Sequence, residues 1–171
     1  MKYIKMFEKY SNKPDVNLVS SEFWKMVLIA NWKNVIHDYE HDPIDRGKYL
    51  ENAKAKIYLK YDYEQIKLFY IEYHNFYMKL YEYFEPLWLN KKYSFFMPSD
   101  DGYTDLISSI IGRGKNFTKL CIDSQEIFLK TAKNEDYIEN FGYLLQVDEN
   151  EYSEVRSKYD PLFRDTIKYN L

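Results

Sequence analysis

The sequence predicts an all-α protein: one domain of about six to eight helices packed around a long central aromatic-rich helix. Apolar residues recur at i, i+3, i+4 and i+7 along most of the chain instead of alternating. Only five glycines and five prolines occur in 171 residues, too little turn chemistry for a many-stranded sheet. No repeat or low-complexity linker divides the chain, and roughly 100 to 200 residues is the span of one domain. Residues 1–19 and 152–171 carry the weakest pattern and are expected to be peripheral or extended.

The first helix is expected from Ser20 or Ser21, either of which can cap it. Phe23, Trp24, Val27, Leu28, Trp32, Val35, Ile36 and Tyr39 then keep helical spacing until Pro43. A shorter amphipathic helix follows Gly47 on Tyr49, Leu50, Ala53, Ile57 and Tyr58. The long helix runs over 62–85, where Ile66, Tyr73 and Leu80 recur every seven residues, as do Phe69, Phe76 and Tyr83, and Tyr70, Tyr77 and Phe84. Pro86 predicts a break or kink, with Leu87, Trp88 and Leu89 opening a separate short segment.

Next comes the most sharply punctuated stretch, S-D-D-G-Y-T-D-L-I-S-S-I-I-G-R-G-K at 99–115. Tyr103, Leu106, Ile107, Ile110 and Ile111 share one helical face, while Ser99, Asp100 and Asp101 stand where the first unpaired N–H groups need acceptors. Either Gly112 or Gly114 can take a left-handed turn at the far end. Further helices are expected over 116–121, over 124–133 behind D-S-Q-E, and over 135–145, with a weakly patterned tail from Tyr152.

Charge narrows the function classes. Lysine and arginine number 24 against 27 acids, so a net charge of -3 gives no reason to expect nucleic acid or an anionic membrane as partner; K-A-K-I-Y-L-K and R-G-K are small basic clusters. No apolar stretch approaches the roughly 20 residues of a membrane span, the N-terminal run is studded with lysine, and the single Cys121 reads as a small buried hydrophobe. A soluble, cytoplasmic protein is expected. The 19 tyrosines and 11 phenylalanines suit a bulky core or a protein-binding face.

Candidate chemistry is sparse. Gly114-Lys115 ends a phosphate-loop-like run, but Ser109 and Asn116 stand where that loop needs glycine and a hydroxyl, and a helix precedes it. "SDDGYTD" lacks the alternating ligands of a calcium loop. H-D-Y-E-H at 37–41 fits the inverted zinc-peptidase pattern, making His37, Glu40 and His41 weak metal candidates against the alternative of a solvated helix end. His74 reads as a packed or partly exposed side chain rather than a base. No catalytic residue is singled out and no cofactor is implied.

The run M-P-S-D-D-G-Y-T-D-L-I-S-S-I-I-G-R-G-K-N-F-T-K-L-C-I-D-S-Q-E-I resembles the signature of a bacterial domain-of-unknown-function family, numbered four-two-four-zero. Its members carry S-D-D-G-F, then an aromatic-arginine-x-tryptophan helix, a glycine-lysine or glycine-arginine turn, and D-P-[DE]-x-[LI]. Phe23-Trp24 and Y-E-Q-I-K-L-F-Y-I-E-Y fall where that family has its opening F-W and its E-E-I-x-x-F helix, so the resemblance spans about 23–145. Met97, Ser108, Ser109 and Ser124 depart from the pattern. The resemblance implies an all-helical domain and marks Ser99, Asp100, Asp101 and Gly102 as the candidate binding residues; it implies no activity.

Two functions are therefore expected in order. The first is a non-enzymatic module that binds another protein, for example an immunity protein neutralising a toxin. The second is a small hydrolase, metal-dependent through His37 and His41 or acid-base through Asp100 and Asp101.

Overall fold

The computed structural model describes residues 13–32, 35, 46–133 and 141–160. Among them are seven α-helices and no strand: α1 (Ser21–Ala30), α2 (Arg46–Lys60), α3 (Tyr63–Trp88), α4 (Asp100–Gly112), α5 (Lys115–Asp123), α6 (Gln125–Lys133) and α7 (Glu149–Tyr159). Short 3₁₀ turns cover Val16–Leu18 and Phe141–Leu144.

Helix α1 starts as predicted, with the Ser20 hydroxyl accepting from the Phe23 N–H at 3.1 Å. The part of its predicted span beyond Val35, to Tyr39, lies outside the described residues. Asn31 adopts the left-handed conformation, φ 54° and ψ 45°, and ends the helix. Helical backbone returns at Trp32 and Val35, both buried, so the apolar spacing continues across a break that periodicity does not reveal. Phe23, Trp24, Met26, Val27 and Ala30 face inward, and the Trp24 indole donates to the Val16 carbonyl at 3.0 Å.

Helix α3 opens on a capping box, Asp62 with Gln65. The first two of its heptad series, from Ile66 to Leu80 and from Phe69 to Tyr83, are buried; Tyr70 and Tyr77 of the third are half-buried beside a buried Phe84. Leu68, Ile71 and Met78 stay exposed on the opposite face. Pro86 does not end the helix: α3 runs on to Trp88, and Leu87 and Trp88 form its last turn instead of a new segment. The amide that proline lacks would have paired with the carbonyl of Glu82, a residue on the exposed face of the helix. Burial of Leu87 holds the turn beyond.

The predicted apolar face of α4 is fully buried at Tyr103, Leu106, Ile107, Ile110 and Ile111. From Leu106 to Gly112 every residue is buried, so the second half of α4 is enclosed on all sides, and α3 packs against the helix. Two serines are thereby carried into the core, and both are satisfied. Ser108 shares a hydrogen bond with the Tyr73 hydroxyl at 2.7 Å and accepts from Gly142 N–H at 3.4 Å. Ser109 accepts from the Trp32 indole at 3.5 Å. Gly112 is helical and is there for space: a Cβ on it would stand 2.5 Å from Trp32 Cδ1 and 2.9 Å from Phe141 Cδ2. The positive φ belongs to Gly114, at 96°, where α4 turns into α5.

Two expectations near the C-terminus change. The helix predicted over 135–145 is, in its described part, the 3₁₀ turn Phe141–Leu144; 134–140 lie outside the described residues. The weakly patterned stretch beyond contains α7, which packs on α2 through one buried residue, Tyr152. Its ring meets Tyr58 and Tyr63, its hydroxyl donates to the Tyr61 carbonyl at 3.1 Å, and the ion pairs Lys54–Glu151 and Lys158–Glu51 flank it.

Candidate functional site

The S-D-D-G run lies at the elbow between α3 and α4. Ser99 is the cap, its hydroxyl accepting from Gly102 N–H at 3.4 Å, while Asp100 and Asp101 occupy the exposed first turn, where carboxylates favour the positive helix end. Gly102 is half-buried. The structure thus brings the four candidate binding residues together as a helix start, with the two carboxylates pointing to solvent.

The elbow itself is built from K-K-Y-S-F-F-M-P. Its turns close on their own backbone: Tyr93 N–H donates to the Asn90 carbonyl at 2.8 Å, and Phe96 and Met97 N–H both donate to the Tyr93 carbonyl at 3.1 Å. The Asn90 side chain accepts from Lys92 N–H at 3.0 Å, and the Ser94 hydroxyl donates to the Lys91 carbonyl at 3.0 Å. Trp88 ties the far side down, its indole donating to the Pro98 carbonyl at 2.9 Å. This tethered loop nevertheless presents Phe95 at 82 % exposure and Leu89 at 64 %. Phe96 meets the Phe95 ring edge-on at 4.7 Å, and Tyr93, Phe96 and Met97 are half-buried beneath. Lys91 and Lys92, which precede Phe95 in the chain, and Asp100 and Asp101, which follow it, are all exposed.

A tyrosine ladder leads up to the elbow along α3. Tyr70, Tyr73, Tyr77 and Tyr81 are successive neighbours, and Tyr81 meets Tyr103 at 4.7 Å. Burial, with Tyr81 and Asp105 adding to it, pushes the Tyr77 phenol up to about 12, so it stays a neutral hydrogen-bonding group.

Phe95 was not singled out by the sequence, and Leu89 was named only as part of the short segment expected after Pro86. The available signal was three aromatics in the loop between Trp88 and Pro98 that follow no helical spacing.

The remaining candidates fall elsewhere. His37, Glu40 and His41 lie outside the described residues. Among the described residues no group of three or more His, Cys, Asp or Glu side chains is placed to hold a metal ion. His74 is exposed on α3, near the Tyr70 ring. Cys121 is fully buried, and burial pushes its thiol up to about 12 despite opposing help from Thr131 and Arg113, which makes it a poor nucleophile. A shallow cleft of about 330 Å³ opens between α2, α7 and the Phe141–Leu144 turn, lined by Leu50, Lys54, Tyr143, Glu151 and Val155 among others. No described helix is long and apolar enough to cross a membrane.

Comparison with protein-family models, with curated protein sequences and with solved structures gave no match to this chain.

Proposed function

We propose that this chain is a non-enzymatic protein-binding module of the cytoplasm, of the kind that neutralises a toxin as an immunity protein, and that the α3–α4 elbow is its contact surface. One observation carries the reading: Phe95 is almost fully exposed on a loop that its own hydrogen bonds and Trp88 hold in one shape. Displaying a large aromatic in water forgoes its burial, about 2 kcal/mol, so a protein that keeps it there gains elsewhere. An exposed aromatic with charged residues before and after it in the chain suits an interface hot spot with a polar rim, and a loop already ordered loses little entropy when a partner covers it.

The likeness to the four-two-four-zero family belongs to the same proposal, with Ser99, Asp100, Asp101 and Gly102 serving as the helix start that sets the elbow's direction. The carboxylates then form the charged rim.

Binding of the products of adjacent genes to the wild-type chain and to Phe95→Ser tests this reading. The expected result is one partner held by the wild type and weakened by more than about tenfold in the variant, a loss typical of a hot-spot aromatic. For a toxin partner, co-expression of the wild type, but not of the variant, restores growth. Equal binding by both chains, or no binding by either, overturns the proposal.

A further inference from the structure

Helix α7 is held to the body differently from the helices of the core. Of its 11 residues only Tyr152, Val155 and Tyr159 are apolar or aromatic, and only Tyr152 is buried. The Tyr152 ring sits against Tyr58 and Tyr63, at 5.6 and 5.7 Å between centroids, and its hydroxyl donates to the Tyr61 carbonyl. Half-buried Val155 only lines the open cleft. The ion pairs Lys54–Glu151 and Lys158–Glu51 join α7 to α2 near the surface. Two further bonds, from the Arg156 guanidinium to the Tyr152 hydroxyl at 3.0 Å and to Asp160 at 2.7 Å, lie within the helix and its cap. Those bonds stiffen α7 without attaching it.

The face beneath keeps its own supports. Tyr58 donates to the Leu144 carbonyl at 3.2 Å, and α2 is packed on α1 as well as on α7. Buried apolar area sets how firmly an element is docked, and one ring with two solvent-screened ion pairs is worth far less than the two inward stripes of α3 or the enclosed half of α4. We infer that α7 is a detachable strap, which leaves and returns as one unit while α1 to α6 stay folded, with Tyr152 as its latch. Opening uncovers Tyr58 and Tyr63 and adds their surface to the shallow cleft beside Leu50 and Leu144. This device is separate from the α3–α4 elbow and does not depend on what binds there.

Hydrogen exchange of the full chain, read by mass spectrometry over a series of urea concentrations below the unfolding transition, tests the strap. Amides across 153–159 should exchange well before those of α3 and α4, at rates that urea hardly changes, since little surface opens. Tyr152→Ala should speed all of them by a common factor of at least about tenfold, and Tyr152→Phe, which keeps the ring and loses the bond to Tyr61, by about fivefold or less. Exchange in α3 and α4 should stay as in the wild type. Amides of α7 that exchange only with global unfolding, at the urea dependence of α3, overturn the inference. So does unequal acceleration that grows toward one end of α7, which is fraying and not release of a unit. A Tyr152→Ala chain that fails to fold, or in which every helix loses protection together, also overturns it, because α7 would then belong to the core.

Discussion

The indole of Trp88 lies flat on the phenol ring of Tyr103, with centroids 4.7 Å apart and planes within 8° of parallel. One residue belongs to the last turn of α3 and the other to the first turns of α4, so this stack fixes the angle at which the elbow leaves the body. Tyr103 is itself held by its hydroxyl, which donates to the Tyr81 carbonyl at 2.7 Å. The exposed Phe95 is therefore carried on a rigid base.

Replacing Trp88 with Phe keeps a ring in the stack but removes the bond to the Pro98 carbonyl. The expected cost is about 1 kcal/mol, the usual net worth of one such bond. Limited proteolysis should show cleavage within 90–98 accelerating more than the global melting point falls, because the tether to Pro98 is lost while α3 and α4 persist.

Ser99→Ala should lower stability by about 1 kcal/mol, since it removes the side-chain acceptor of α4. Asp101→Ala should cost less, about 0.3 to 1 kcal/mol, because its contribution is attraction to the helix end. Urea midpoints of the two variants settle the order; a larger loss at Asp101 would show that this carboxylate has a structural role beyond the helix end.

Gly112→Ala offers a test by sign. In an open helix interior the change stabilises by about 1 kcal/mol. Here the new methyl would meet Trp32 at 2.5 and 2.8 Å and Phe141 at 2.9 Å. The expected outcome in chemical denaturation is a net loss of about 1 to 3 kcal/mol.

Stability should decline in alkali. Burial raises the Cys121 thiol to about 12 from an ordinary value near 9, and raises the Tyr77 phenol to about 12 as well. Between the ordinary and the raised values the unfolded chain has released protons that the folded chain retains. The stabilisation is thus complete below the ordinary values and is lost as pH rises through the folded ones. Urea midpoints should be level up to about pH 8 and fall above about pH 9. Cys121→Ala should make that fall shallower, and a thiol reagent at neutral pH should label Cys121 only at the unfolding rate.

Much of the helical plan could be read without coordinates. Ser20 caps α1, one of the two serines expected there, Ser99 caps α4, one of the three residues expected there, and the heptad series on α3 turns its first two stripes inward. The misses share one cause. Asn31 interrupts an unbroken apolar rhythm, and Pro86 sits inside a helix that its burial partners carry onward. In α7 one buried tyrosine replaces an apolar stripe, because α2 and two ion pairs supply the rest of its anchorage. At the candidate site the S-D-D-G letters were conspicuous, whereas Phe95 was not, since an aromatic in a loop carries no mark of which way it faces.

Helix caps, turn residues and the spacing of apolar side chains act within a few residues, so the chain by itself determined that it would be helical and where most helices begin. Burial depends on two surfaces at once. Only the tertiary structure could decide that the second half of α4 is enclosed on all sides, that two serines are hydrogen-bonded within it and Gly112 leaves space for Trp32 and Phe141, and that Phe95 is left in water on a fixed loop.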